Sequence, residues 1–143
     1  MTPHTQTILH NPAQGQTGDC WRTCIACLLD MRPAEVPHFA TLEGNWRQHT
    51  QAWLRGRGFA FYDYAYMDDF ATQGITGCYH ILSGPSPRDP ENVRHSVIGL
   101  DGHVHWDPHP SRACLFNDAD KSTWYVTLLV RLNTPAHGVV GRP

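Results

Sequence analysis

Three cysteines, Cys20, Cys24 and Cys27, fall within eight residues, and the first stands where a nucleophile would. Cys20 opens a stretch in which Cys20, Cys24, Cys27 and Leu28 recur at helical spacing, with Asp19 placed to cap the helix. A thiol at a helix N-terminus beside an imidazole is driven toward the reactive thiolate. Gly15 and Gly18 let the preceding chain come close to a reacting carbonyl. Gln14, six residues upstream, can return over the site and donate its amide N–H to an oxyanion, with the backbone N–H of Cys20 as the other donor.

Rival chemistries exist for the same residues. Cys20-x3-Cys24-x2-Cys27 has the spacing of a radical-SAM iron–sulfur ligand set, but the residues between read as helix rather than as the loop of a large barrel. Cys24 and Cys27 read more simply as small core residues on one helix face. His103, His105 and His109 surround Asp107, and strand alternation would put His103, His105 and Asp107 on one face, open to zinc. In a chain with 10 histidines, a polar His-rich strand face is the plainer reading, and no metal is expected. His80 lies inside an apolar run and reads as a packed histidine rather than as a base.

The segment Gln14-Gly15-x-x-Gly18-x-Cys20-Trp21 resembles the nucleophile segment of papain-like cysteine peptidases, Q-G-x-x-G-x-C-W. His95-Ser96-Val97-Ile98-Gly99, followed by Asp107-Pro108, is similar to the His-x-Val-x-Gly … Asp-Pro pattern of the C39-like branch, and the chain resembles the small bacterial and phage members of the C39-like or NlpC/P60-like branches. The likeness covers residues 11–30 and 95–108. It implies Cys20 as nucleophile, His95 as base, Asp107 as the residue orienting the histidine and Gln14 as oxyanion donor. It implies an α+β, papain-like fold, with an N-terminal catalytic helix packed on an antiparallel, partly barrelled sheet. The activity implied is that of a cysteine hydrolase, a peptidase or amidase working through a thioester on a peptide or small amide, without a cofactor. An acyl transferase using the same residues, or a catalytically silent binding module on the same fold, are the alternatives.

Strand register tests the pairing of His95 with Asp107. A three-residue loop at Leu100-Asp101-Gly102, with Gly102 left-handed at a bulge, pairs Gly99 with His103 and sets His95 opposite Asp107. A two-residue Asp101-Gly102 turn puts them on opposite faces. Turn chemistry leans to the second; the pairing requires the first, and the bulged loop is the expectation.

The elements that must hold these residues read as helices first and antiparallel strands later. Residues 1–18 are polar and turn-rich. A second helix is expected over 43–55, where Trp46, Trp53 and Leu54 share a face and Gly56 or Gly58 ends it. Strands are expected over 59–66, 78–82, 95–100, 103–106 and 123–132, with Gly84-Pro85-Ser86-Pro87-Arg88 as a rigid connector and a loose tail from Asn133. Arg88 and Arg94 are candidates for holding a substrate carboxylate, since a guanidinium suits bidentate anion recognition. Gly18 and Trp21 would line the same groove, Trp21 as core or as wall.

At 143 residues, 41% hydrophobic and 17% charged, the chain reads as one globular domain. The net charge of -2 offers no electrostatic footprint for nucleic acid or an anionic membrane. Residues 1–11 lack the basic and apolar regions of a secretory signal, and no run reaches the ~18–20 apolar residues of a membrane span. Five cysteines, an odd number, suit reduced thiols, so a cytoplasmic protein is expected.

Overall fold

A computed structural model describes residues 1–70 and 73–133 of the protein. Most of the tail expected to be loose, residues 134–143, lies outside the described residues. The architecture is α+β. Helix α1 spans Cys20–Leu28 and helix α2 Trp46–Arg55, followed by β1 (Phe59–Ala65), β2 (Tyr79–Ser86), β3 (Asp89–Leu100), β4 (His103–Trp106) and β5 (Tyr125–Arg131). The strand order is β1-β5-β2-β3-β4, every neighbouring pair antiparallel. No described helix is long and apolar enough to cross a membrane.

The sheet is open, not partly barrelled. Closure would require β1 to pair with β4, and these are the two edges. Residues on both faces find cover without it. Ile81 and Ile98 pack under Cys24, Ile25 and Cys27 of α1, while Leu82, Val97 and Val126 pack beneath Trp124, Leu115 and Phe70 from the loops. Alternation along β2 and β3 thus feeds two layers, and burying either set favours the open form.

Local chemistry explains the boundaries. α2 begins at Trp46 because Gly44 is left-handed (φ +89°) and the Asn45 side chain accepts from the N–H groups of Arg47 and Gln48. The expected connector at Gly84-Pro85-Ser86 is instead the end of β2. Pro85 is tolerated there because β5 pairs with β2 only over Ile81–Ser83, so its missing N–H faces no strand on that side. Gly84 admits Trp124, whose Cδ1 would stand 2.8 Å from an added Cβ.

The β3–β4 connection is the two-residue Asp101-Gly102 turn, both residues left-handed (φ 52° and 76°), and not the three-residue bulged loop. The bulge lies further on. Leu100 pairs with His103 and Gly99 with Val104, but Ile98 pairs with Trp106, leaving His105 without a partner.

Candidate active site

Cys20 is the first residue of α1, and Asp19 fixes it from behind. The Asp19 carboxylate is fully buried and does not cap the helix. It turns back to accept from the N–H of Ile8 (3.0 Å) and the Thr7 hydroxyl (3.2 Å), and it pairs with Arg22 (2.9 Å). The expected cap is therefore a strap that ties residues 7 and 8 to the helix. The Cys20 N–H, the first of the helix, has no partner among the described residues and stays free at its positive end.

His95 lies on β3 and Asp107 just past β4. Their contact, His95 Nε2 to Asp107 Oδ1, is 2.7 Å, and both side chains are nearly inaccessible. The slip at His105 makes this possible. With Ile98 opposite Trp106, Asp107 follows on the same face as Val97 and hence as His95. The carboxylate also accepts from the N–H of His109 (2.8 Å) at Oδ1 and of Cys114 (2.8 Å) at Oδ2. With Nε2 engaged, Nδ1 is left for Cys20, which sits beside the ring.

Burial is the largest influence on His95 and opposes its charge. The hydrogen bonds to Asp107 and Cys20, and the charges of both, outweigh it and raise its pKa to about 9. Burial likewise pushes Asp107 up, but the hydrogen bonds from His95 and from the His109 N–H, with the His95 charge, hold it below its ordinary value. Cys24, one turn into the helix, is fully buried, and burial followed by the neighbouring Cys20 raises its thiol well above the usual range. Cys24 and Cys27 are core residues, as expected, inside a continuous helix.

Two cavities, about 680 and 770 Å³, meet at Thr17, Gly18, Cys20 and Arg94. One is bordered by Gln6, Arg88, His95 and His109, the other by Trp21, Trp46, Tyr64 and Tyr125. Trp21 is both core and wall: it meets Trp46 edge-on at 5.2 Å, and its Nε1 donates to Thr50. Gly18 is required by closeness, since an added Cβ would lie 2.9 Å from the His10 nitrogen.

Gln14 is not brought to the thiol. Asn11 and Gln16 exchange backbone hydrogen bonds (both 2.9 Å), closing a tight loop that leaves Gln14 exposed and outside both cavities. Gln6 is there instead. It is buried, its backbone N–H donates to Pro108 O (2.9 Å), its Nε2 donates to Ile8 O (2.8 Å), and its Oε1 has no partner. Sequence reasoning missed Gln6 because 13 residues separate it from Cys20.

The histidine group at 103, 105 and 109 does not converge. His103 and His105 are exposed on β4, whereas His109 borders the cavity, and the slip at His105 takes Asp107 off their face. Among the described residues no group of three or more His, Cys, Asp or Glu side chains is arranged to hold a metal. His80 is fully buried, stacks on Phe70 and engages Cys78 O through Nδ1, as a packed histidine does.

The contacts of Arg112, at the end of the Pro108–Arg112 segment that leaves Asp107, are not legible in the sequence. Its guanidinium donates to the Asp107 and His109 carbonyls and to Thr5 Oγ1 (2.6 Å) and lies 4.0 Å over the Trp106 ring. It holds a loop in which Arg112, Cys114 and Asn117 are all left-handed. Compared with models of protein families, with curated proteins and with solved structures, the chain matches none.

Proposed function

We propose that the protein is a papain-like cysteine hydrolase, a peptidase or amidase acting in the cytoplasm. The observation that carries the reading is the 2.7 Å contact of buried His95 with Asp107, with Cys20, the first residue of α1, beside the same imidazole and open clefts on both sides of it. Five free cysteines fit a reducing compartment.

In this reading the Cys20 thiolate attacks an amide carbonyl carbon. The carbonyl oxygen becomes an oxyanion, which takes the free N–H of Cys20 and the second amide proton of Gln6. His95, held as an imidazolium by Asp107, gives its Nδ1 proton to the leaving amine, and the C–N bond breaks to a thioester. His95 then accepts a proton from water as the water oxygen attacks the thioester, releasing the acid and restoring the thiolate. Asp107 keeps the ring oriented and its charge favourable throughout.

Site-resolved alkylation with iodoacetamide tests the nucleophile. At about pH 6.5, where His95 is still charged, Cys20 should react at least about tenfold faster than exposed Cys78, an internal reference on the same chain. His95→Ala should erase most of that advantage. If Cys20 reacts no faster than Cys78, or is indifferent to His95, the proposed chemistry is absent. Should rapid labelling be found, adding amines during turnover and analysing products separates hydrolysis from acyl transfer.

A further inference from the structure

The two clefts beside Cys20 differ in charge. On the Trp21 side the walls are aromatic, and the charged pair Arg47–Asp63 is internally satisfied. On the Gln6 side Arg88, His10, His95 and His109 face a single carboxylate, Asp89, while Arg94 borders both clefts. Asp89 is turned to Asn92, accepting from its backbone N–H (3.3 Å) and its Nδ2 (3.0 Å), and forms no ion pair among the described residues.

The basic groups are not equivalent. Arg94 already donates to the carbonyls of Ser83 (3.2 Å) and Thr123 (2.8 Å) and lies over Tyr125. Among the described residues the Arg88 guanidinium makes one hydrogen bond, from Nη1 to Ser111 Oγ at 3.3 Å, leaving most of its donor fork free. The same Ser111 organises His109. The Ser111 N–H donates to His109 Nδ1 (3.1 Å), so that nitrogen is an acceptor and carries no proton. The Ser111 hydroxyl, 2.8 Å from it, must then donate as well, while its lone pair receives Arg88. A neutral imidazole with an unprotonated Nδ1 carries its hydrogen on Nε2. Burial, and after it the charges of Arg88 and His95, keep His109 neutral by lowering its pKa. His109 Nε2 has no partner among the described residues and is not among the buried unsatisfied atoms, so its N–H opens to the cavity.

We propose that Arg88 and His109, joined through Ser111, form a carboxylate-binding subsite beside Cys20, and that the substrate is an amide bearing a free carboxylate on that side of the scissile bond. The inference rests on Cys20 being the nucleophile. A guanidinium fork plus one neutral N–H matches the two oxygens and single charge of a carboxylate. Asp89 on the same wall disfavours a dianion such as a phosphate monoester. The aromatic cleft then takes the uncharged part of the substrate.

A matched pair of alkylating probes reads the subsite directly: N-iodoacetylglycine, which ends in a carboxylate, and N-iodoacetylglycinamide, which does not. The quantity measured is the ratio of their rates at Cys20 at low ionic strength. In the wild type the ratio should exceed that in Arg88→Gln by about threefold or more, the size expected of a partly solvated charge pair. It should fall with added salt, drop further in Arg88→Glu and be partly retained in Arg88→Lys. His109→Gln should lower it too. A ratio that is the same in wild type, Arg88→Gln and Arg88→Glu, with the neutral probe still labelling Cys20 rapidly, would overturn the subsite alone. Slow labelling of wild-type Cys20 by both probes would instead overturn the nucleophile, and the subsite with it.

Discussion

His95 and Asp107 meet at 2.7 Å because the ladder between β3 and β4 slips by one residue at His105, after an ordinary two-residue turn at Asp101-Gly102. Deleting His105 removes only the unpaired residue and leaves Trp106 opposite Ile98 and Asp107 on the face of Val97 and His95, whereas deleting Val104 and His105 together sets Trp106 opposite Gly99 and carries Asp107 to the other face. The double deletion is expected to abolish the fast alkylation of Cys20, whereas deletion of His105 alone should leave most of it. Both can be measured on protein whose circular dichroism confirms folding. Equal rates for the two variants would show that the strand register is not what aligns the pair.

The ion pair also has a pH signature. His95 is raised to about 9 in the folded protein, from about 6.5 when unfolded, so its contribution is fully present below about pH 6.5 and is lost as pH rises through about 9. Asp107 is held below its ordinary 3.8, so its contribution is present above that value and disappears as pH falls through the folded one. The two describe one interaction and do not add. Urea unfolding of wild type and His95→Gln should therefore show a stability gap that is widest between these limits and narrows above about pH 9. In Cys20→Ala the imidazole loses one of its charged neighbours, and NMR titration should find its pKa below about 9.

Gln6 and Gln14 make opposite predictions. Gln6 borders the cavity at Cys20 and Gln14 does not. With an activated acyl probe such as 4-nitrophenyl acetate, Gln6→Ala should slow acylation of Cys20 by about 10²-fold, in line with loss of one oxyanion donor. Gln14→Ala should change it by less than about twofold, within the range of surface substitutions. The reverse pattern would return the oxyanion role to Gln14.

Arg112 is expected to act through Asp107. Arg112→Ala removes hydrogen bonds to the Asp107 and His109 carbonyls and to Thr5, together with the stack on Trp106. A loss of about 1–3 kcal/mol in stability is predicted, and the pH dependence of Cys20 alkylation should shift as Asp107 loosens. Arg112→Lys keeps the charge but not the planar fork and should rescue little of either effect. An unchanged pH profile in Arg112→Ala would confine its role to stability.

What could be read in advance was mostly local. Helical spacing from Cys20 to Leu28, the Asp-Gly turn and the alternation of β3 are short-range properties, and each was legible. The joining of His95 to Asp107 was expected, but through the wrong device: a bulge in the turn instead of a slip at His105, which no turn residue announces. Motif spacing points to Gln14 alone because it counts residues along the chain, whereas the Asn11–Gln16 loop folds that length out of the way. Asp19 was read as a cap because the nearest donors lie in its own helix; its actual partners, Thr7, Ile8 and Arg22, depend on where the first residues run. The closed sheet failed for a similar reason, since cover for its second face comes from Phe70, Leu115 and Trp124 in separate loops.

The N-terminal residues that strap the site have a consequence for synthesis. Trp106 reaches back 102 positions to His4 and Arg112 reaches back 107 to Thr5, while Gln6 hangs from Pro108. Closures across so much chain are entropically late events. A ribosome-borne chain that has emerged only as far as β2 already displays Cys20, but neither the imidazole nor its carboxylate exists to arm it. Under the proposed mechanism, the pair that would activate Cys20 is therefore completed only when the final loop is in place.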